Sequence, residues 1–222
     1  MKLFKVVALL LLLSLVSVSG CICCLGLDSQ LSKFKKSVSD ISFPSQVTIG
    51  SKTYDKVYSH EYLTPAAVKS GIVSFLEQLK YPRSDTSALV SQYVDTAGVE
   101  QYKSFKYTDG TARGTLGGLV AKTASPLVAM SSYTGMKSTA DSSMPYANNP
   151  NMNWGSAQDF SYGGSATPGD GGDWYRFKVN GTDCYGVAVR YSNMYILAYS
   201  FESFEVAEEA AKMAIRQIDS AA

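Results

Sequence analysis

Tyr175-Arg-Phe-Lys-Val-Asn-Gly-Thr-Asp-Cys-Tyr-Gly-Val-Ala-Val-Arg-Tyr-Ser-Asn-Met-Tyr-Ile-Leu-Ala-Tyr-Ser-Phe201 is the stretch whose reading decides the fold. Side chains alternate between apolar and polar from Tyr175 to Val179, and again from Tyr185 to Tyr191, as strands with one buried face require. Asn180-Gly181 supplies the positive φ angles of a tight hairpin turn, and Ser192-Asn193 marks a second turn before a third strand, Met194 to Phe201. Ser203 then caps a helix that carries Glu205, Glu208 and Glu209 early and Lys212 and Arg216 late, the polarity a helix dipole favours. Val206, Ala210, Met213 and Ile218 give that helix an apolar stripe. An antiparallel meander with a helix laid over it defines an α+β fold: hairpins and a meander packed against helices in a single domain.

The first half of the domain carries the same kinds of signal. Ser45 to Tyr54 is β-rich around a turn at Gly50-Ser51 and leads into a second β segment, Val57 to Tyr62. Thr64 as cap and Pro65 in the first helical position open a helix whose stripe is Val68, Ile72, Phe75, Leu76 and Leu79, stopped by Pro82. A shorter helix is expected from about Ser87 to Val94, capped by Ser84 or Asp85 and followed by Gly98. Asp109-Gly110 predicts a hairpin with a tight two-residue turn between Tyr102–Tyr107 and Thr111–Lys122, and Ser125-Pro126 opens a further helix toward Met136. Gly114, Gly117 and Gly118 fit neither a dinucleotide fingerprint nor a P-loop, so close backbone approach or a bulge within the strand is their expected use.

From about Ser142 to Asp173 the composition turns to Asn, Gly, Ser, Pro and Tyr, which reads as a long loop region. Tyr146, Trp154, Phe160 and Tyr162 stand in it: aromatic rings on a loop suit stacking on a glycan or gripping a partner protein, and the alternative, which the composition favours, is that most of them pin the loop onto the domain. Asp170-Gly-Gly-Asp173 has too few oxygen ligands at the right offsets for a Ca²⁺ loop.

At the other end of the chain Lys2 and Lys5 precede an apolar run that closes on Val18-Ser19-Gly20-Cys21. A basic head, an apolar segment and small residues before a cleavage point are the marks of an export signal. The pattern resembles the lipobox of prokaryotic surface lipoproteins, archaeal ones included, and the resemblance implies that Cys21 is lipidated and becomes the new N-terminus. The other reading is a retained transmembrane helix, because Val6 to Leu27 carries no charge and roughly 20 apolar residues span a bilayer. Both readings leave Lys2 and Lys5 inside and everything after Asp28 outside the cytoplasm. The expected layout is a signal peptide over 1–20, a membrane-proximal tether over 21–42 and one extracytoplasmic domain over 43–222. Lys33, Lys35 and Lys36 form a small basic patch at the membrane end, suited to anionic lipid heads, although a solvated linker face accounts for them more simply. The C-terminal run with Val187-Ala-Val-Arg-Tyr-Ser-Asn193 and its closing Ala-rich helix resembles the corresponding part of small surface lipoproteins and extracytoplasmic sensor-type domains of uncharacterised families. That likeness implies a sheet backed by helices and transfers no catalytic residue.

Composition fits an exported globular domain, with 45% hydrophobic and 18% charged residues and a formal net charge of +1. A charge so near zero argues against nucleic acid as a partner. Cys21, Cys23 and Cys24 cluster at the membrane end and Cys184 stands alone in the domain, so hydrophobic burial rather than a disulfide framework must hold the fold. Cys184 is read as a buried thiol, the alternative being a disulfide to Cys23 or Cys24 if the tether folds back. No catalytic, cofactor-binding or metal-ligating set stands out. His60 is the only histidine, its neighbour Glu61 is the one acid beside it, and no nucleophile-elbow or HExxH pattern occurs. Asn180-Gly181-Thr182 is a sequon, which makes Asn180 a glycosylation candidate. The expectation is a membrane-anchored, non-enzymatic surface domain without cofactor, whose partner is a cell-envelope protein, a small molecule or a glycan. An envelope enzyme with an active site invisible in sequence is the alternative.

Overall fold

A computed structural model of the chain describes residues 34–78, 86–134, 157–179 and 181–222. One antiparallel sheet is built from β1 (Gln46–Ile49), β2 (Lys52–Tyr62), β3 (Val99–Thr108), β4 (Thr115–Thr123), β5 (Ala157–Ala166), β6 (Gly172–Val179), β7 (Thr182–Tyr191) and β8 (Met194–Ser200). Three helices pack on it, α1 (Pro65–Gln78), α2 (Thr86–Ala97) and α3 (Phe204–Ala221), and a further helical segment spans 126–134. The order across the sheet, β1-β2-β3-β4-β8-β7-β6-β5, shows how it is made. Two four-stranded meanders meet where β4 pairs with β8, with Leu119 opposite Leu197 and Val120 opposite Ile196. All residues of β8 are buried because both its faces are covered.

The two faces hold separate cores. On the first, α3 packs against Leu116, Val120, Val187, Val189, Ile196 and Ala198. Its buried stripe is Ala207, Ala210, Ala211, Met213, Ala214, Ile218 and Ala221, and the small alanines let the helix axis come close to the strands. Met213 and Ile218 add the large apolar surface, each worth about 1.5–3 kcal/mol on full burial. Ser203 caps the helix through Oγ, which accepts from the Val206 amide at 3.4 Å. On the second face Val68, Ile72, Val90 and Val94 of α1 and α2 cover Tyr102, Leu119, Ala121, Tyr195 and Leu197. The α1 start is capped as expected, the Ala67 amide donating to Thr64 Oγ1 at 3.1 Å, and Gly98 ends α2 with a φ of +59°.

Three expectations are corrected. The tether expected over 21–42 is domain from Phe34 onward: Phe34, Val38, Ile41 and Phe43 are buried in the first core, Val38 as the first residue of a short 3-10 turn, Val38–Asp40. Spaced apolar residues in a polar segment have found a sheet face to cover. The loop expected at about 142–173 contains β5 and the start of β6; residues 142–156 lie outside the described part. Bulges interrupt β5 near Asp159 and Gly164, which take φ of 54° and 136°, and such breaks keep an exposed edge from pairing with another chain. The β3–β4 hairpin forms with Thr108 opposite Thr115, but its turn is longer than two residues. Asp109 Oδ1 closes it by accepting from the Thr111 amide and hydroxyl, at 2.8 and 2.6 Å.

Glycines in β4 serve close packing. A Cβ on Gly118 would lie 2.1 Å from the Leu197 carbonyl oxygen, and one on Gly117 would lie 2.7 Å from the Tyr199 hydroxyl.

Candidate binding face

Beyond the edge of α3 the first face of β5, β6 and β7 meets solvent. Trp174 on β6, Tyr185 on β7 and Phe204 at the start of α3 are half-buried there, with ring centroids 4.7 Å apart for Trp174–Phe204 and 6.5 Å for Trp174–Tyr185. The indole reaches across to the edge strand, where a Cβ on Gly163 would sit 2.3 Å from it. An aromatic ring laid over an edge glycine replaces the packing that the glycine cannot supply. Alternation along β6 places Arg176 and Lys178 on the same face as Trp174, and the cross-strand register brings Asp183 into it opposite Lys178.

Those polar groups hold one another in fixed positions. Arg176 Nη2 and Nε donate to Asp183 Oδ1 at 3.1 and 3.3 Å, and Lys178 Nζ donates to Asp159 Oδ2 at 2.7 Å. The bond to Asp159 raises the Lys178 pKa. Side-chain exposures of 52% for Arg176 and 38% for Asp183 leave both able to reach a ligand. Ser161 on β5 donates to the Arg176 carbonyl oxygen at 3.3 Å. Aromatic edges beside an ordered Arg–Asp pair give apolar contact together with directed donors and acceptors, the combination by which a site recognises a glycan or an extended peptide.

Of the four expected aromatic-loop residues, Tyr146 and Trp154 lie outside the described residues, and Phe160 lies in β5 with a side chain outside them. Tyr162 sits on β5 but faces the opposite side from Trp174. Its ring meets Tyr175 edge-on at 5.7 Å and its hydroxyl donates to Asp173 Oδ1 at 2.8 Å. Tyr133, on the helical segment 126–134, donates to Asp173 Oδ2. Burial and the carboxylate together push the Tyr133 hydroxyl pKa up, so it stays protonated and keeps donating. This set fastens the segment 126–134 and β5 to β6. Tyr162 is thus a brace on the second face, although 44% exposed.

His60 is exposed and stacks on Tyr58 at 4.7 Å. Glu61 points to the other side of β2, where Lys103 Nζ holds it at 2.6 Å, so the two do not converge as an acid and base. Among the described residues no group of three or more His, Cys, Asp or Glu gathers that could hold a metal. Cys184 is a free, buried thiol whose pKa burial raises. A cavity of about 30 Å³ lies under α1 and α2, lined by Val68, Ile72, Val94, Val99, Tyr102, Leu119 and Ala121, and it has the volume of a packing defect. Cys21 and Asn180 lie outside the described residues, and among those described no helix is long and apolar enough to cross a membrane. Sequence reading missed Trp174, Tyr185, Phe204 and Arg176 as a group. The alternation that defined β6 and β7 already placed three of them on one face, but nothing local showed that α3 stops short of covering it.

The chain is a single α+β domain built on an eight-stranded open antiparallel sheet. No protein-family model, curated protein or solved structure matches it.

Proposed function

We propose that this chain is a membrane-anchored extracytoplasmic lipoprotein, held by a lipid on Cys21, whose domain binds a glycan or an envelope protein without catalysis. The supporting observation is the group of Trp174, Tyr185 and Phe204, half-buried against the first core, beside the ordered and exposed Arg176–Asp183 pair. Rings at that site offer flat apolar area at low conformational cost, and the ion pair offers direction. The export signal and the lipobox-like Val18-Ser19-Gly20-Cys21 supply the address. Stable anchoring takes two lipid-type signals, which a diacylglyceryl group meets.

The test is binding of the full-length protein, purified from membranes, to a panel of envelope glycans and to envelope protein extract, with Arg176→Ala and Tyr185→Ala beside the wild type. Both variants lose at least about tenfold in affinity, the effect of an interface residue worth over 1 kcal/mol. Binding that both variants retain in full would overturn the assignment of this face. Intact-mass measurement of the same material decides the anchor: loss of residues 1–20 with a diacylglyceryl mass on Cys21 supports the lipoprotein, and an intact N-terminus replaces it with a signal-anchored protein.

A further inference from the structure

We infer that the open edge of β2, from Val57 to Leu63, is a self-association surface: a second copy of this chain lays the same strand along it, antiparallel, about a twofold axis at His60. This edge is the far side of the sheet from β5 and β6, so the pairing is separate from the binding face above.

The edge is a slot closed at both ends. β1 pairs with β2 only from Lys52 to Asp55, its last tie being the Lys56 amide to the Ser45 carbonyl at 2.8 Å, and α1 begins at Pro65. Between those limits β2 has a strand on one side only, with Tyr58 to Tyr62 in unbroken register against Lys106 to Tyr102 of β3. The Asp109 amide donates to the Gly114 carbonyl, which sets the alternation of the β3–β4 ladder and leaves Tyr102, Ser104 and Lys106 to bond Tyr62, His60 and Tyr58. The main-chain groups of Ser59 and Glu61 therefore point away from β3, and no other main chain among the described residues takes them up. A row of unpaired N–H and C=O groups is a template for another strand.

The occupant follows from the sequence of the slot. Val57-Tyr58-Ser59-His60-Glu61-Tyr62-Leu63 is close to a palindrome about His60. An antiparallel copy centred there sets Val57 against Leu63, Tyr58 against Tyr62, Ser59 against Glu61 and His60 against itself. Ser59 and Glu61, whose main-chain groups point outward, then form the hydrogen-bonded pairs, twice by symmetry, so backbone alternation and side-chain matching agree on one closed register. Val57 and Leu63 are 50% and 41% exposed, two of the four exposed large apolar side chains among the described residues, and this register brings them together. The copy's strand turns into α1 where it would come opposite Lys56, the point at which β1 takes over the edge, so the slot has the length of its own insert. Glu61 is the one fixed charge between Val57 and Leu63, and Lys103 holds it at 2.6 Å. The other edge offers no such match: bulges break β5 near Asp159 and Gly164, whereas the bulge of β2 stands at Val57, on the border of the slot.

The test traps the pair across its axis. In a non-hydrogen-bonded antiparallel pair the Cα atoms lie about 4.5 Å apart, inside the range of about 4.4–6.8 Å that a disulfide spans, so His60→Cys joins to its own copy. Full-length protein carrying Cys23→Ser and Cys24→Ser is extracted from membranes and mildly oxidised, with that parent as the baseline. Above it, His60→Cys forms a disulfide dimer at least about tenfold faster than Thr53→Cys, which is exposed on the same strand beside β1. Adding Ser59→Pro, which removes an outward N–H and leaves the β3 ladder whole, brings the His60→Cys rate down to that of Thr53→Cys. Adding Leu63→Asp, at an exposed side chain, slows it as well, and Cys184 shielded from a thiol reagent reports that each variant is folded. Equal rates for His60→Cys and Thr53→Cys, or trapping at His60→Cys that Leu63→Asp and folded Ser59→Pro leave unchanged, overturns the twofold pair. A mixed disulfide of His60→Cys with a different polypeptide in native membranes, read by intact mass in place of the homodimer, gives the edge to another partner and overturns the second copy.

Discussion

Replacing Asn193 with alanine is the perturbation that most directly tests how the start of the domain is held. The Asn193 side chain is inaccessible to solvent and satisfies three backbone groups: the Phe34 amide at 2.7 Å, the Phe34 carbonyl at 3.2 Å and the Thr123 carbonyl at 3.1 Å. An intramolecular hydrogen bond contributes about 1 kcal/mol net, and a buried group stripped of its partner costs about 1–3 kcal/mol, so Asn193→Ala should destabilise the domain by roughly 2–4 kcal/mol. The lower end applies if Phe34 lifts off and its amide finds water. That relief is limited, because Phe34 and Val38 are buried in the first core and would leave with it. Urea unfolding measures the loss, with an unchanged m-value showing that the unfolding transition itself is the same. Hydrogen exchange adds a local readout: the amides of 34–41 should lose protection while those of β8 keep it up to the new global stability. A loss below about 1 kcal/mol, or protection at 34–41 unchanged, would refute the view that this one side chain clamps the chain to the sheet.

Lys103 is 8% exposed and pairs with Glu61, which is 37% exposed. Glu61→Ala, which strands the ammonium, should cost about 1–2 kcal/mol after allowance for solvent at Glu61, while Lys103→Met, which removes the buried charge, should cost less; urea midpoints giving the reverse order would refute the burial argument. At Glu208, burial raises the carboxyl pKa, but hydrogen bonds from Thr167 and Lys212 outweigh it and leave the group below its ordinary value of 4.5. Its contribution to stability is therefore present above that value and lost as pH falls through the lowered one, so wild type and Glu208→Gln should differ at pH 7 and converge in acid; a constant gap between their stability curves from pH 7 to pH 2 would contradict the linkage. Cys184 is 1% exposed and its thiol is held protonated by burial, so an aromatic disulfide reagent should label it only at the rate of opening or unfolding, and immediate labelling in native buffer would place it outside the core.

Local patterns in the chain carried the C-terminal half of the fold and left out its long-range joins. Strict alternation at Tyr175–Val179 and Tyr185–Tyr191 and the cap at Ser203 each act within a few residues, and β6, β7, β8 and α3 follow from them. Pairing of β4 with β8 has no such mark, since two apolar runs with glycines or alanines satisfy many partners equally. β5 was hidden for a related reason. Ser161, Gly163, Gly164 and Ser165 have turn-forming composition, and the strand exists because Trp174 covers the glycine gap and β6 supplies the ladder. Phe34, Val38, Ile41 and Phe43 were readable as apolar, but their small number in a polar segment suited a tether until a sheet face lay beneath them. At the candidate face, the register that places Arg176 near Asp183 was implicit in the Asn180-Gly181 turn. Phe204, contributed across the sheet by α3, was not.

β7 runs from Thr182, beside the Arg176–Asp183 pair, to Tyr191, beside the turn that holds Phe34. Its residues span about 30 Å at the usual rise, with Trp174 opposite Val187 midway along it, so the ion pair and the clamp on Phe34 stand at opposite ends of one ladder. Loosening the clamp at Asn193 would therefore free the start of the domain without touching the ion pair, which separates a loss of stability at one end from a change of the candidate face at the other.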